Sequence, residues 1–470
     1  MSEMAQVEMG GVASRAAHAG SLHRRLTSFG VLMLTLSCLS PVFSIYGIGP
    51  DVLQHAGTGA ASMFLVGIGS AMIWALVYAE LGSAYPYAGG DYVGVGSILG
   101  GGAGFASLAA WAATSGPSVA IEAKTIATYV QFADFAPPMV ITFVALLASV
   151  LVAILAVRTS AIITGVFLAI EMCAVVALGV AGAWHPVRGL AEVILHPVGV
   201  TGAGVLGPIS LGALALAGVS ASYATVGGNQ AIGFGEELQD PHRNMGKVIV
   251  QACLIGAFAT AVPVILVALS AVDLVAVIQS PAPFSTFVSS VAGPTAANTL
   301  SAIVAVAIFN AMIAQIMFSA RLFFSLGRDR VFGRHPSAWL GRVNGSSGAP
   351  RVATWVVGIF SAVCCFVGDH TLVVFISALT VYTMGLVSLA VLIGRRRGLT
   401  GKPGEWRSPL YPLGPVLGIV MTIIFAVADL LDADAGRPSF VFLGSIVLLA
   451  VLWHQFVLRR RPGGWTPHTF

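Results

Sequence analysis

Apolar positions in this chain run in long blocks instead of alternating. Blocks of about 20 residues, long enough to cross roughly 30 Å of hydrocarbon as a helix, recur at 30–50, 61–82, 103–130, 138–157, 159–183, 207–234, 248–270, 298–320, 352–368, 372–394, 411–430 and 439–457. They predict an all-α integral membrane protein with about twelve transmembrane helices, or roughly ten to fourteen if neighbours such as 138–157 and 159–183 divide differently. Strands of a membrane barrel alternate every second residue in short segments, and these blocks do not.

Two blocks break their own helical pattern. The first reads Ser37-Cys38-Leu39-Ser40-Pro41-Val42-Phe43-Ser44-Ile45-Tyr46-Gly47-Ile48-Gly49-Pro50. Pro41 removes a backbone donor, and Gly47 and Gly49 weaken the helix further. The sixth reads Gly218-Val219-Ser220-Ala221-Ser222-Tyr223-Ala224-Thr225-Val226-Gly227-Gly228-Asn229-Gln230. Its paired glycines leave a helix cheaply, and neighbouring hydroxyls can satisfy the freed carbonyls. Gly and Pro are common in membrane helices generally. Blocks one and six, however, are corresponding members of two five-helix halves, and breaks at equivalent places point to a midplane site in an inverted repeat. Lipid tolerates no unsatisfied backbone, so a broken helix must line a polar cavity or bind something. Half-helix N-termini then offer N–H groups to an anion, and C-termini offer carbonyls to a cation.

Composition agrees with a lipid solvent. Charged residues are 9% of the chain, where a soluble domain has about 25%, and mean hydropathy is +0.91. The net charge of +4 is unevenly placed. An N-terminus in the cytoplasm puts Arg24, Arg25, Arg158, Arg243, Lys247, the basic residues of 328–351, Arg395–Arg397 and Arg459–Arg461 inside. Outer loops carry Asp51, Asp134, Glu192, Asp273, Asp432 and Asp434 with only Arg188 and Arg437. This is the positive-inside pattern, with both termini cytoplasmic, and it reports topology, not a nucleic-acid partner. The largest segments between blocks are 321–351 inside and 271–297 outside; the latter is either a partly apolar lid or an ordinary connection.

No enzyme, catalytic residue, cofactor or metal site is legible. There is no phosphate loop, no His/Cys ligand spacing and no nucleophile with a base. The five cysteines lie in apolar blocks and are expected to be reduced. His185, His196, His242 and His335 fall in loops. Residues 1–25 have no apolar signal segment and are expected as a disordered cytoplasmic tail.

Four further segments, in order along the chain, carry a resemblance to the amino acid–polyamine–organocation (APC) superfamily of permeases. Tyr78-Ala79-Glu80-Leu81-Gly82-Ser83-Ala84-Tyr85-Pro86-Tyr87-Ala88-Gly89-Gly90-Asp91-Tyr92 looks like that family's AELxSAxPxAGGxY stretch. Glu236-Glu237-Leu238-Gln239-Asp240-Pro241-His242-Arg243-Asn244 is similar to EExxxPxRN. Ser319-Ala320-Arg321 through Arg328-Asp329 is close to SRxxxxxxRDG, with Arg330 in place of the last glycine, and Arg407-Ser408-Pro409-Leu410-Tyr411-Pro412 resembles the entry to span eleven. The resemblance implies a leucine-transporter-like five-plus-five inverted repeat with helices 1 and 6 broken. The ten-helix transport core is expected over 26–395, two extra C-terminal helices over 396–458 and a cytoplasmic tail over 459–470.

The same resemblance implies a substrate pocket at Ser40, Pro41, Val42, Phe43, Ser44 and Ile45 on the first break and Tyr223, Ala224, Thr225, Val226, Gly227 and Gly228 on the sixth. Trp111 and Ser115 on span three and Asn310 and Gln315 on span eight are polar candidates for its wall, or else hydrogen-bond between helices. Tyr223 either stacks over a ligand or packs in the core. Many members hold the substrate carboxylate on a Gly-Ser-Gly run. Ser-Pro-Val-Phe-Ser stands here instead, closer to polyamine-type and broad-range permeases, so a strict α-amino-acid substrate does not follow. Glu171, mid-span in block five, is costly in lipid; some members carry a coupling lysine at this position, and the glutamate is expected either as the proton carrier or as a protonated carboxyl hydrogen-bonded across helices. Glu122 and Lys124 either snorkel or pair with neighbours. Glu80, Glu236, Glu237, Arg243 and Arg328 form either an inner gate or a static surface network. The expectation is a proton-coupled permease of the cytoplasmic membrane, working by alternating access on an amino acid or related small amine, with amine exchange as the alternative. A channel would need a selectivity filter, which is not seen.

Overall fold

The computed structural model describes residues 26–87, 89–130, 136–155, 161–201, 204–342 and 350–461. The expected tail at 1–25, Arg24, Arg25, Asp134, Arg158 and the 462–470 part of the C-terminal tail lie outside the described residues.

The described chain is almost wholly helical. The longer helices are α1 (Ser28–Leu39), α2 (Gly49–Ala56), α3 (Ala60–Ala84), α4 (Asp91–Leu99), α5 (Gly101–Tyr129), α6 (Pro138–Leu155), α7 (Ala161–Trp184), α8 (Leu211–Thr225) and α9 (Pro241–Ser270), then α10 (Pro294–Arg328), α11 (Arg351–Cys364), α12 (Asp369–Arg396), α13 (Leu413–Leu431) and α14 (Gly436–Trp453). A single hairpin, β1 (Val198–Val200) with β2 (Leu206–Pro208), pairs antiparallel in the register Gly199 to Gly207. Among the described residues, eight helical stretches are long and apolar enough to cross a membrane, and Pro138–Ile154 and Arg351–Cys364 are shorter apolar helices.

Outward faces are greasy, as lipid demands. Val140, Val144 and Leu147 on α6, Val176 and Val180 on α7, Ile359 and Val363 on α11, Ile423, Ile424 and Val427 on α13 and Leu448 and Leu449 on α14 are all exposed. A water-soluble monomer rarely carries apolar patches on this scale. The protein is a multi-pass membrane protein.

Both sequence breaks are present. α1 stops at Ser40, whose φ of 43° is left-handed, one residue before Pro41. A proline ring collides with the carbonyl four residues back and supplies no N–H, so the helix must stop there. Ser40 serves both halves: its N–H donates to Leu36 O, and its Oγ accepts from Phe43 N. One turn (Pro41–Phe43) and a π-helical turn (Ser44–Ile48) lead into α2. α8 ends at extended Val226 and resumes after Gly227 as a 3₁₀ segment, Gly228–Phe234.

The breaks touch. A Cβ on Gly227 would lie 2.8 Å from Leu39 Cγ, and one on Gly228 would lie 2.6 Å from Ile249 O of α9. The Leu39 side chain can shift, whereas the α9 carbonyl is fixed in its helix. Gly228→Ala is therefore expected to cost about 1–3 kcal/mol through overpacking, read as a lower melting midpoint in detergent. An unchanged midpoint would show that α9 yields at this contact.

The 271–297 segment forms two short helices, Leu274–Gln279 and Pro283–Ala292. Its Phe284 and Phe287 are fully buried, and the Phe284 ring meets Tyr46 at 5.4 Å. The segment is thus packed onto the turns that follow the first break.

Candidate functional site

Where the two broken helices meet, α5, α10 and α12 complete the wall of a small cavity. Of the residues singled out in the sequence, Phe43, Ser44, Trp111, Tyr223, Val226, Gly227 and Gln315 line it. The others do not, each for a local reason. Ser40 turns toward Glu171, while Pro41, Val42, Ile45 and Ala224 pack into the core. Thr225 bonds to the carbonyls of Ala221 and Ser222, Ser115 bonds to Ala112 O, and Gly228 backs onto α9. Asn310 sits on α10 with a buried Nδ2 that has no partner among the described residues.

Helical spacing explains which polar residues reach the cavity and which do not. Trp111, Thr114, Ser118 and Glu122 follow each other at steps of three and four on α5, so they share one face, and all four line the cavity. Ser115 is one step round the helix. On α10 the lining residue is Gln315, five positions from Asn310, and Ile376 and Thr380 repeat the four-residue step on α12. A single polar letter marks a candidate, and only a run at helical spacing marks a face.

Two buried carboxyls flank the first break. Glu171 Oε1 accepts from Ser40 Oγ at 2.7 Å and from the Val42 N–H at 3.1 Å, so it caps the half-helix that begins at Pro41. A carboxyl at a helix N-terminus meets the positive end of the dipole and an orphan N–H. Its second oxygen has no hydrogen-bond partner among the described residues. Glu122 is likewise buried with an unpartnered Oε2, and it faces the cavity. Lys124 points elsewhere: it pairs with Asp369 and donates to Val367 O at 2.7 Å.

A second small cavity lies beside the first and shares Trp111 and Asn229 with it. Trp111 is held in place by Asp91, whose Oδ2 accepts from its indole at 3.0 Å and from Tyr78 OH at 2.8 Å. Asp91, Tyr78 and Arg321 all line this second space. None of the three was singled out from the sequence, although all stand inside the motif segments.

The polar groups at this end of the bundle separate into distinct sets. Glu80, with no exposed surface, meets Arg395 at 3.2 Å and accepts from Thr400 Oγ1 at 2.9 Å and Ser408 N at 3.0 Å. It therefore ties α3 to the connection between α12 and α13. Glu237 pairs with Arg321 at 3.5 Å, and that guanidinium lies over the Phe234 ring. Arg328 pairs with its neighbour Asp329, which also accepts from Tyr92 OH at 2.8 Å. Glu236 is within electrostatic reach of Tyr92, and Arg243 is exposed. The start of α1 is stitched to the same region by Leu26 N to Glu237 O at 2.8 Å and Gln239 N to Leu26 O at 3.0 Å.

Comparison with known proteins gives the family. The amino acid permease family profile matches residues 26–453. The chain is 27% identical over 439 residues to Asc-type amino acid transporter 1 of Mus musculus, covering 88% of this chain and 78% of that protein. The human protein of the same name is 28% identical over 439 residues, covering 88% and 80%. The branched-chain amino acid permease BcaP of Lactococcus lactis is 23% identical over 404 residues, covering 79% and 82%. These relatives are transporters, not enzymes. With a profile that spans nearly all the described residues and the broken helices meeting at a cavity, the chain belongs to the amino acid permease family of the APC superfamily.

Proposed function

We propose that the protein is a proton-coupled permease that moves an amino acid or related small amine across the cytoplasmic membrane by alternating access. Twelve crossings, a five-plus-five inverted repeat over 26–395, two added helices over 396–458 and both termini in the cytoplasm complete the reading. The observation that carries it is the contact of Glu171 with Ser40 and Val42, because it couples a titratable group directly to the broken helix beside the cavity. Taking up or releasing a proton at Glu171 changes what caps the half-helix, and so biases the two conformations differently. Only such differential stabilisation shifts a conformational equilibrium.

Substrate sits in the cavity between the breaks. Phe43, Ile48 and Ile376 offer an apolar wall, while Thr114, Ser118, Gln230, Gln315 and Thr380 offer hydrogen bonds. Glu122 is the acidic group among the lining residues, and a carboxyl facing a cavity complements an amine. The relatives' printed substrates, amino acids in general and branched-chain ones in the bacterial permease, fit a site of mixed polarity. Glu236, Glu237, Arg243 and Arg328, together with Arg321, form the cytoplasmic gate region, and Glu80 anchors it as a fixed tie between α3 and the α12–α13 connection. Trp111 is the partition between the substrate cavity and the inner vestibule.

Competition for uptake in proteoliposomes tests the substrate reading. Amino acids and amines are expected to compete with one another, and their deaminated acids are expected not to. Glu122→Gln should raise the half-saturation concentration by about 10- to 100-fold, since a hydrogen bond to a charged group contributes about 1.5–3 kcal/mol. Equal competition by compounds without an amine would contradict the assignment.

A further inference from the structure

At the end of the bundle opposite Glu80, three side chains from distant parts of the sequence converge. Asp51 and His55 stand one turn apart on α2, and His370 enters from the first turn of α12. Their metal-ligating atoms all lie within 4.8 Å of one another. His370 Nδ1 is 2.7 Å from Asp51 Oδ1, and His55 Nδ1 is 3.5 Å from the same oxygen. The two imidazole rings stack with centroids 4.7 Å apart. Both histidines and Asp432 line an open cavity of about 420 Å³, so the cluster is reachable from solution.

We propose that Asp51, His55 and His370 form a binding site for a divalent transition metal, with zinc as the fitting ion. Two imidazoles and one carboxylate are a borderline-soft nitrogen and oxygen set, the kind that takes zinc in three-ligand sites with the fourth position open. Here both imidazoles border the cavity, from which water could supply a fourth ligand. The ligands span at most 4.8 Å, so rotation of two partly exposed imidazoles brings their nitrogens to the bonding distance of about 2.0–2.1 Å.

The groups behind the ligands strengthen the assignment. Metal-ligating histidines characteristically hold their second nitrogen against a carboxylate or carbonyl, which fixes the ring and its tautomer. Asp432 Oδ2 stands 3.6 Å behind His370 Nε2, on the side of the ring away from Asp51. Asp432 is itself fixed, accepting from the backbone N–H groups of Asp434, Ala435 and Gly436 at 3.0, 3.2 and 2.8 Å. The second oxygen of Asp51 accepts from Ser220 Oγ of α8 at 2.7 Å, leaving Oδ1 to face the histidines. A bound ion would therefore join α2 to α12, with α8 and the α13–α14 connection behind the ligands.

Equilibrium binding of Zn²⁺ to the purified full chain, read by competition with a chromogenic chelator, tests this without reference to transport. One saturable site is expected, with Co²⁺ giving the visible absorption of a low-coordinate ion. His55→Ala and His370→Ala should each weaken binding by at least about tenfold. Asp432→Asn removes no ligand, and it should weaken binding by about 10- to 100-fold. His335→Ala, an exposed histidine at the other end, should change nothing. Both ligand histidines are partly exposed, so the variants fold, and monodisperse elution checks it. No saturable binding, or binding that His55→Ala and His370→Ala leave unchanged, would overturn the proposal.

Discussion

Glu171→Gln protein in vesicles is expected to lose accumulation of substrate when the outside is acidified, while still equilibrating substrate across the membrane. The amide keeps an oxygen that accepts from Ser40 Oγ and Val42 N, so the break stays capped. It cannot carry a proton through the cycle. One pH unit corresponds to 1.36 kcal/mol, so a one-unit gradient supports about tenfold accumulation per proton in the native protein. In the variant the ratio should fall to equality. The sign is fixed by direction: acid outside drives native uptake, and acid inside opposes it. Accumulation that persists in Glu171→Gln would leave Glu171 as a structural cap only.

The second large effect belongs to Glu80. Its carboxylate has no exposed surface and receives Arg395, Thr400 Oγ1 and Ser408 N. Glu80→Ala strands a guanidinium that is only 19% exposed and leaves two donors without their acceptor. Breaking such a pair by removing one partner costs about 3–5 kcal/mol. The expected readout is a sharply lower melting midpoint and poor recovery of folded protein in detergent. Glu80→Gln keeps the Thr400 and Ser408 bonds and should lose less. A Glu80→Ala protein as stable as the native one, but with altered transport, would instead make the residue a moving gate.

Some of this was written plainly in the sequence. Proline at 41 forces a stop in any helix, and the chain stops one residue earlier, at Ser40. Long apolar blocks are legible because lipid requires the same stretch of every crossing helix. Glu171 stood out because a carboxyl in the middle of an apolar block demands a reason, and the structure places it on the first break. What a single sequence hides is which face of a helix looks at which neighbour. Ser115 and Ser118 are equivalent as letters, yet only Ser118 lines the cavity. Asn310 and Gln315 differ in the same way. Glu122 and Lys124, two apart, fall on different sides of a helix by spacing alone, but which side meets the cavity and which meets Asp369 does not follow from the sequence.

Long-range partners were the least legible. Glu80 was grouped with Glu236, Glu237, Arg243 and Arg328 because all fall near the same predicted ends of helices. In the fold Glu80 instead pairs across the bundle with Arg395, more than three hundred residues away in sequence, and Glu237 takes Arg321. The Asp51, His55 and His370 cluster was invisible for the same reason, since no ligand spacing connects positions 51 and 370.

The most direct measurement is uptake of labelled amino acid into proteoliposomes that contain no internal substrate, under a proton gradient, a sodium gradient or neither. Accumulation above equilibrium with the proton gradient alone, collapsed by a protonophore, is the predicted result. Uptake that ignores pH and appears only when the vesicles are preloaded with a counter-substrate would contradict proton coupling and establish exchange.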